Sequence, residues 1–142
     1  MSFAGLPAAL QAALTSRGYA APTPVQTAVL ADDAAGRDLL VSAQTGSGKT
    51  VAFGLAMAPE ILGEAERLPP PGAPLALVVA PTRELALQVK AELTWLYAPA
   101  GGRIASCVGG MDRLVKNGNC WLACISWSAH PAAYVTIWNA AI

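Results

Sequence analysis

Ser42-Ala43-Gln44-Thr45-Gly46-Ser47-Gly48-Lys49-Thr50, SAQTGSGKT, stands between an apolar run and an amphipathic one. It reads as a phosphate-binding loop of the form G-x-x-x-x-G-K-[ST] in which Ala43 takes the place of the first glycine. Gly46 and Gly48 let the backbone turn successive N–H groups toward phosphate oxygens, and a following helix aims the positive end of its dipole at the same place. Lys49 then neutralises the terminal phosphates, and the Thr50 hydroxyl ligates magnesium. A plain Gly/Ser turn is the alternative. A strand before the loop and a helix after it distinguish the two.

Both flanks have that character. Asp38–Ala43 (DLLVSA) reads as a short strand, and a helix is expected from near Lys49 to about Leu62. Upstream, Leu6, Leu10 and Leu14 recur every fourth residue behind Pro7, with Gly18 after them, as in a short amphipathic helix. Thr23 before Pro24 is an N-cap signal for a second helix with Val25 and Val29 on its inner side. Downstream, GEAERLPPPGAP must be a surface loop, because Pro-Pro-Pro-Gly fits neither helix nor strand. Leu75–Ala80 is a continuous apolar run suited to a strand covered on both faces. Thr82 caps a helix with Leu85, Val89, Leu93 and Leu96 on one side, closed by Gly101 and Gly102. Ile104–Val108 is a third strand ending in Gly109-Gly110. The alternation is that of an α/β parallel sheet flanked by helices.

The 142 residues suffice for one core but not for two full domains. Hydrophobic residues make up 54% and charged residues 13%, which favours a packed globule over disorder. Nine Lys+Arg balance nine Asp+Glu, so any nucleic-acid binding must be local. The N-terminus shows no secretory signal, so a cytoplasmic location is expected. Three cysteines and one histidine give neither a disulfide framework nor zinc-ligand spacing, and Cys107, Cys120 and Cys124 read as free thiols.

With its extra glycine, AQTGSGKT resembles the A-x-x-G-x-G-K-T loop of the DEAD-box helicases. Other stretches are similar to the same family in the same order: GYAAPTPVQ at 18–26 to its Q motif, with Phe3 as the isolated upstream aromatic, PTRELALQ at 81–88 to its PTREL motif, and Gly109-Gly110 to its GG element. The resemblance covers residues 3 to about 112. It implies a partial RecA-like domain that binds ATP with Mg2+ through Ala43, Gln44, Thr45, Gly46, Ser47, Gly48, Lys49 and Thr50. Gln26 would read the adenine edge by donating and accepting at once. Tyr19 and Phe3 would pack near the base. Pro81, Thr82, Arg83, Gly109 and Gly110 would meet the RNA backbone, where a helix N-terminus, a hydroxyl and a guanidinium converge without reading bases. Taken alone, Gln26 reads as a solvated helix residue, Tyr19 as a core aromatic, Thr82 as a simple N-cap with Arg83 in solvent, and Gly109-Gly110 as a bare turn.

Other parts of the family are missing. No Asp-Glu-Ala-Asp stretch and no Ser-Ala-Thr element occurs, so the carboxylates that hold magnesium and orient water are absent, and little hydrolysis is expected. Residues 117–142 carry no charged side chain yet hold three of the four tryptophans. Back-translated from Trp127 to Trp138 and read from each third base into the next codon, they can give V-G-T-P-G-R-L-C-D-H-L, which contains the TPGR that the family places after GG. The expected organisation is a Q-motif region at 1–30, a partial ATP-binding domain at 31–116 and a frameshifted or non-native tail at 117–142, an incomplete domain overall. A membrane segment from Cys120 to Ile142 has the length. Its polar residues and the lack of a basic C-terminal flank argue against it, so no membrane partner is expected. A different P-loop NTPase and a non-catalytic nucleotide- or RNA-binding module are the competing functions.

Overall fold

Pro7 sits where a helix's first N–H has no partner, and α1 follows over Ala8–Ser16 with Leu10, Ala13 and Leu14 buried. The computed structural model describes residues 2–70, 74–107, 122–126 and 137–138, the last two segments and Cys107 by their backbone alone. Thr23 caps α2 (Pro24–Val29) with a full capping box, in which Gln26 is the reciprocal partner. Beyond a 3-10 turn at Asp32–Ala34, the glycine loop feeds α3 (Lys49–Ala56). The expected single helix to Leu62 is two: α3 stops at Met57, and α4 (Ala58–Leu62) starts with Pro59 in its first turn. Pro59 has no N–H to continue the ladder, which breaks the run there.

Strand β1 (Ala76–Ala80) alternates buried and half-buried residues and leads into α5 (Arg83–Tyr97), whose Thr82 cap accepts the Leu85 N–H at 3.2 Å. Strand β2 (Ile104–Cys107) follows. The sheet gains β3 (Leu122–Ser126) and β4 (Ile137–Trp138), in the order β2-β3-β1-β4. β3 is parallel to both neighbours, with Val78 opposite Cys124 and Ser106 opposite Cys124, while β4 runs antiparallel to β1. Both added strands come from the charge-free tail, where no strand was expected. The rest of that tail, the GG pair and the Cys120 thiol lie outside the described residues.

One apolar cluster joins α1, α3, α4, α5 and β1 through Leu10, Leu14, Leu55, Leu62, Val78 and Leu93, among others. Within it α3 lies against α5: a Cβ on Gly54 would lie 2.8 Å from both Leu93 Cδ2 and Leu96 Cδ2, so a larger residue there would require those leucine ends to move. Tyr97 O–H then donates to the Gly54 carbonyl at 2.6 Å, a buried bond across the pair. Burial pushes the Tyr97 phenol well above the ordinary tyrosine range, so it remains a donor into alkaline solution.

Asp38–Ala43 departs from expectation. It takes no part in the ladder, and Leu39, Leu40 and Val41 are 44%, 98% and 41% exposed. A run of this kind is suited to a strand buried on both faces, and among the described residues the sheet offers it no neighbour. Exposed apolar residues with unpaired backbone are a template for strand pairing between molecules. Leu40→Lys should therefore keep the chain monomeric to higher concentration in light scattering, without altering its circular dichroism. Unchanged self-association in this variant would show that the segment is not the sticking edge.

Candidate functional site

The loop that opens α3 is built on two left-handed glycines, Gly46 at φ 81° and Gly48 at φ 85°. The conformational demand falls on those two positions. Nothing lies within 4 Å of a Cβ built on Gly46. On Gly48 the same atom would stand 2.6 Å from Gln26 Nε2 and 3.5 Å from Thr23 Oγ1. Gly48 is thus needed both for its backbone and for the space that the α2 cap occupies. As N-cap of α3 it has no side chain to satisfy the first helical N–H groups, which leaves them facing the loop.

Lys49 folds back over the loop. Its ammonium donates to the Ala43 carbonyl and to the Gln44 carbonyl, the latter at 2.6 Å. Ser47 N–H also bonds Gln44 O, at 3.3 Å. By contrast, the Ser47 hydroxyl is buried with no hydrogen-bond partner. Such a group is uncommon in a native structure and marks a place where a partner is to be supplied. Thr50, in the first turn of α3, and Ala43 are half-buried, while Gln44 and Thr45 are exposed. Backbone N–H groups, one ammonium and two hydroxyls therefore meet in one short segment. The donor set suits an anionic oxygen cluster, and the cradle tolerates no side chain at Gly48.

Gln26 is fully buried rather than solvated. Its Oε1 accepts the Thr23 N–H at 3.0 Å, and its Nε2 donates to the Gly48 carbonyl at 3.4 Å. The carboxamide thereby joins the Q-motif helix to the phosphate loop, a link that spacing along the chain does not reveal. Phe3 is 9% exposed and belongs to the apolar cluster, and Tyr19 packs against that cluster half-buried. At the other candidate surface Pro81 is half-buried, while Thr82 and Arg83 are exposed at the start of α5. Gly109 and Gly110 lie outside the described residues. Among the described residues no group of three or more His, Cys, Asp or Glu is placed to hold a metal ion. Nor is any described helix long and apolar enough to cross a membrane.

Residues 23–124 match the family model described as DEAD/DEAH box helicase. The chain is 40% identical over 105 residues to an ATP-dependent rRNA helicase rrp3 of Emericella nidulans, covering 74% of this chain and 21% of that protein. It is 39% identical over 108 residues to the ATP-dependent RNA helicase RhlB of Pseudomonas putida, covering 72% and 26%. Among solved structures it is similar to the RNA-helicase Prp28 from Chaetomium thermophilum bound to ADP, with a TM-score of 0.71, 35% identity, and coverage of 88% of this chain and 31% of that one. Dbp5 of S. cerevisiae bound to RNA and ADP BeF3 shares the fold at a TM-score of 0.70 and 24% identity, over 86% of this chain and 30% of that one.

The two loop glycines separate conformation from space. Gly46→Ala should cost only the left-handed strain, about 1–2 kcal/mol. Gly48→Ala carries that strain and also displaces the Gln26 amide, so it should lose more stability in urea unfolding. Equal losses would mean that the Gln26 link has no energetic weight.

Proposed function

The chain belongs to the DEAD/DEAH box helicase family and has a partial RecA-like α/β fold, and from this premise we propose that it binds ATP·Mg as part of the N-terminal half of an RNA helicase. Ser47 Oγ carries the reading, as a buried hydroxyl without a partner, set among free helix N–H groups and beside Lys49. A phosphate oxygen would satisfy it. Lys49 would leave the Ala43 and Gln44 carbonyls for the terminal phosphates, and Thr50 would take magnesium. Gln26 would recognise adenine from its place beside Gly48, with Tyr19 and Phe3 behind it. Thr82 and Arg83, at the N-terminus of α5, would hold an RNA phosphate with no base preference. The chain spans 21% and 26% of the rrp3 and RhlB helicases and 31% of the Prp28 chain. Duplex unwinding is accordingly a property of the larger protein, and this chain, lacking the D-E-A-D stretch, should not hydrolyse ATP at an appreciable rate.

Calorimetry with magnesium-ATP tests the reading. Saturable binding should be abolished in Lys49→Ala, and preference for ATP over GTP should disappear in Gln26→Ala. Equal affinity for GTP in the unaltered chain would point to a different P-loop NTPase. RNA binding that needs no nucleotide and weakens in Arg83→Ala would point to a binding module instead.

We also propose that the residues after Lys116 derive from a shifted reading frame. In the frame that yields V-G-T-P-G-R, Cys124–Ile125 can encode His, Ile125–Ser126 Ile and Ser126–Trp127 Val. The shifted peptide then reads H-I-V-V-G-T-P-G-R, with an apolar stretch beginning where β3 (Leu122–Ser126) lies. An apolar strand fits that central place in the sheet in either frame, which accounts for its pairing with β1 and β2. Sequencing the coding DNA decides the matter: one inserted or deleted base between the codons of Asp112 and Asn117 should restore TPGR followed by DEAD. DNA in which no single-base change does so removes the proposal.

A further inference from the structure

The segment that leads into Gln26 is secured at a point far along the chain from the phosphate loop. Tyr19 N–H bonds the Leu14 carbonyl at 3.0 Å. The Tyr19 ring stacks on Trp95 of α5, with centroids 5.8 Å apart and planes 26° from parallel. The Arg17 guanidinium lies 5.0 Å from the centroid of the same indole. Trp95 is itself oriented within its helix, since its Nε1–H donates to Glu92 Oε2 at 2.9 Å. On either side of it in sequence, α5 is pinned by Leu93 and Leu96, both fully buried.

Between Tyr19 and the Thr23 cap the chain has little else to hold it. Ala20 and Ala21 are exposed and Pro22 is only half-buried. At the far end Gln26 meets Gly48 through a bond of 3.4 Å, near the long limit for a hydrogen bond. The α2 end of the segment also rests on α3, with Gln26 and Val29 buried there, and the other end supplies a second point of attachment that orients the stretch between them. That other end is the Tyr19–Trp95 stack with Arg17 added to it, a pairing of aromatic faces and a cation of the kind that gives measurable orientation at partly exposed sites.

We infer that Trp95 is a positioning residue for the base-recognition segment: through Tyr19 and Arg17 it sets where Thr23 and Gln26 stand, and so tunes the discrimination between nucleobases while touching no nucleotide. The inference rests on the proposed role of Gln26. Its effect on the segment itself, however, can be read without any ligand.

Hydrogen exchange and nucleotide titration on the full chain test it together. In Trp95→Ala, the amides of Gln26, Thr27 and Leu30 should exchange about two- to tenfold faster, while those of Leu55 in α3 and Leu93 in α5 keep their rates. Trp95→Phe, which retains a stacking face, should restore slow exchange. Tyr19→Ala leaves α5 unaltered and should reproduce the Trp95→Ala pattern. Affinity for magnesium-ATP should fall by a similar factor in Trp95→Ala, with affinity for magnesium-GTP unchanged, so that the ratio of the two drops. Exchange that is the same in Trp95→Ala as in the unaltered chain overturns the inference, as does a uniform rise through α3 and α5 that Trp95→Phe fails to reverse. If the unaltered chain binds no ATP, the nucleotide reading fails, and the exchange rates still decide whether Trp95 holds the segment.

Discussion

The Gly48 carbonyl is the joint on which the site depends. It accepts the Ala52 N–H at 2.9 Å, which starts α3, and the Gln26 Nε2–H at 3.4 Å, which brings α2 against it. The bond to Gln26 needs the space that glycine leaves at this left-handed position, because a Cβ would stand 2.6 Å from the Gln26 amide nitrogen. The same amide is half of the capping box that begins α2. One small residue therefore couples the start of one helix to the start of another. A loop placed by backbone bonds from both sides can present several N–H groups in a fixed direction, which is what an anion site needs and what flexible side chains supply poorly.

The other side of the loop is held far less firmly. Asp38–Ala43 enters it without a strand partner, and Leu40 is 98% exposed. The described sheet places β3 between β1 and β2 and sets β4 on the far side of β1, so its hydrogen bonds are spent among those four strands. Three consecutive large apolar side chains in water run against the hydrophobic term that dominates folding. Each matches a buried strand in sequence and an unsupported one in structure. Among the described residues no strand covers this segment, and the chain spans 31% of the Prp28 chain to which it is similar.

Much of the local architecture was legible because it rests on short-range chemistry. Thr23 and Thr82 announce their helices by capping, and both accept the N–H that a cap should. Gly46 and Gly48 announce the loop because few other residues adopt its backbone. The division of the α3 region at Met57 was written in Pro59, although apolar periodicity alone ran through it. What the sequence hid is of another kind. Leu39–Val41 reads as strand by composition, and strand formation needs a partner that composition cannot report. Gln26 reads as a solvated helix residue until its contact with Gly48 is seen, and Trp95 reads as one more helical aromatic until Tyr19 and Arg17 are found against it. Periodicity reports which face of an element is apolar, not what crosses to meet it.

The contacts of Lys49 bear on the proposed role of the loop. The Lys49 ammonium is engaged with the carbonyls of Ala43 and Gln44, which lie at the Asp38–Ala43 end of the loop. The contact is charge-assisted and so among the stronger hydrogen bonds available to a protein. If the loop takes phosphate as proposed, the ammonium must leave these carbonyls before it can neutralise an anion. On that reading, apparent affinity would be the intrinsic affinity reduced by the fraction of loops with Lys49 released.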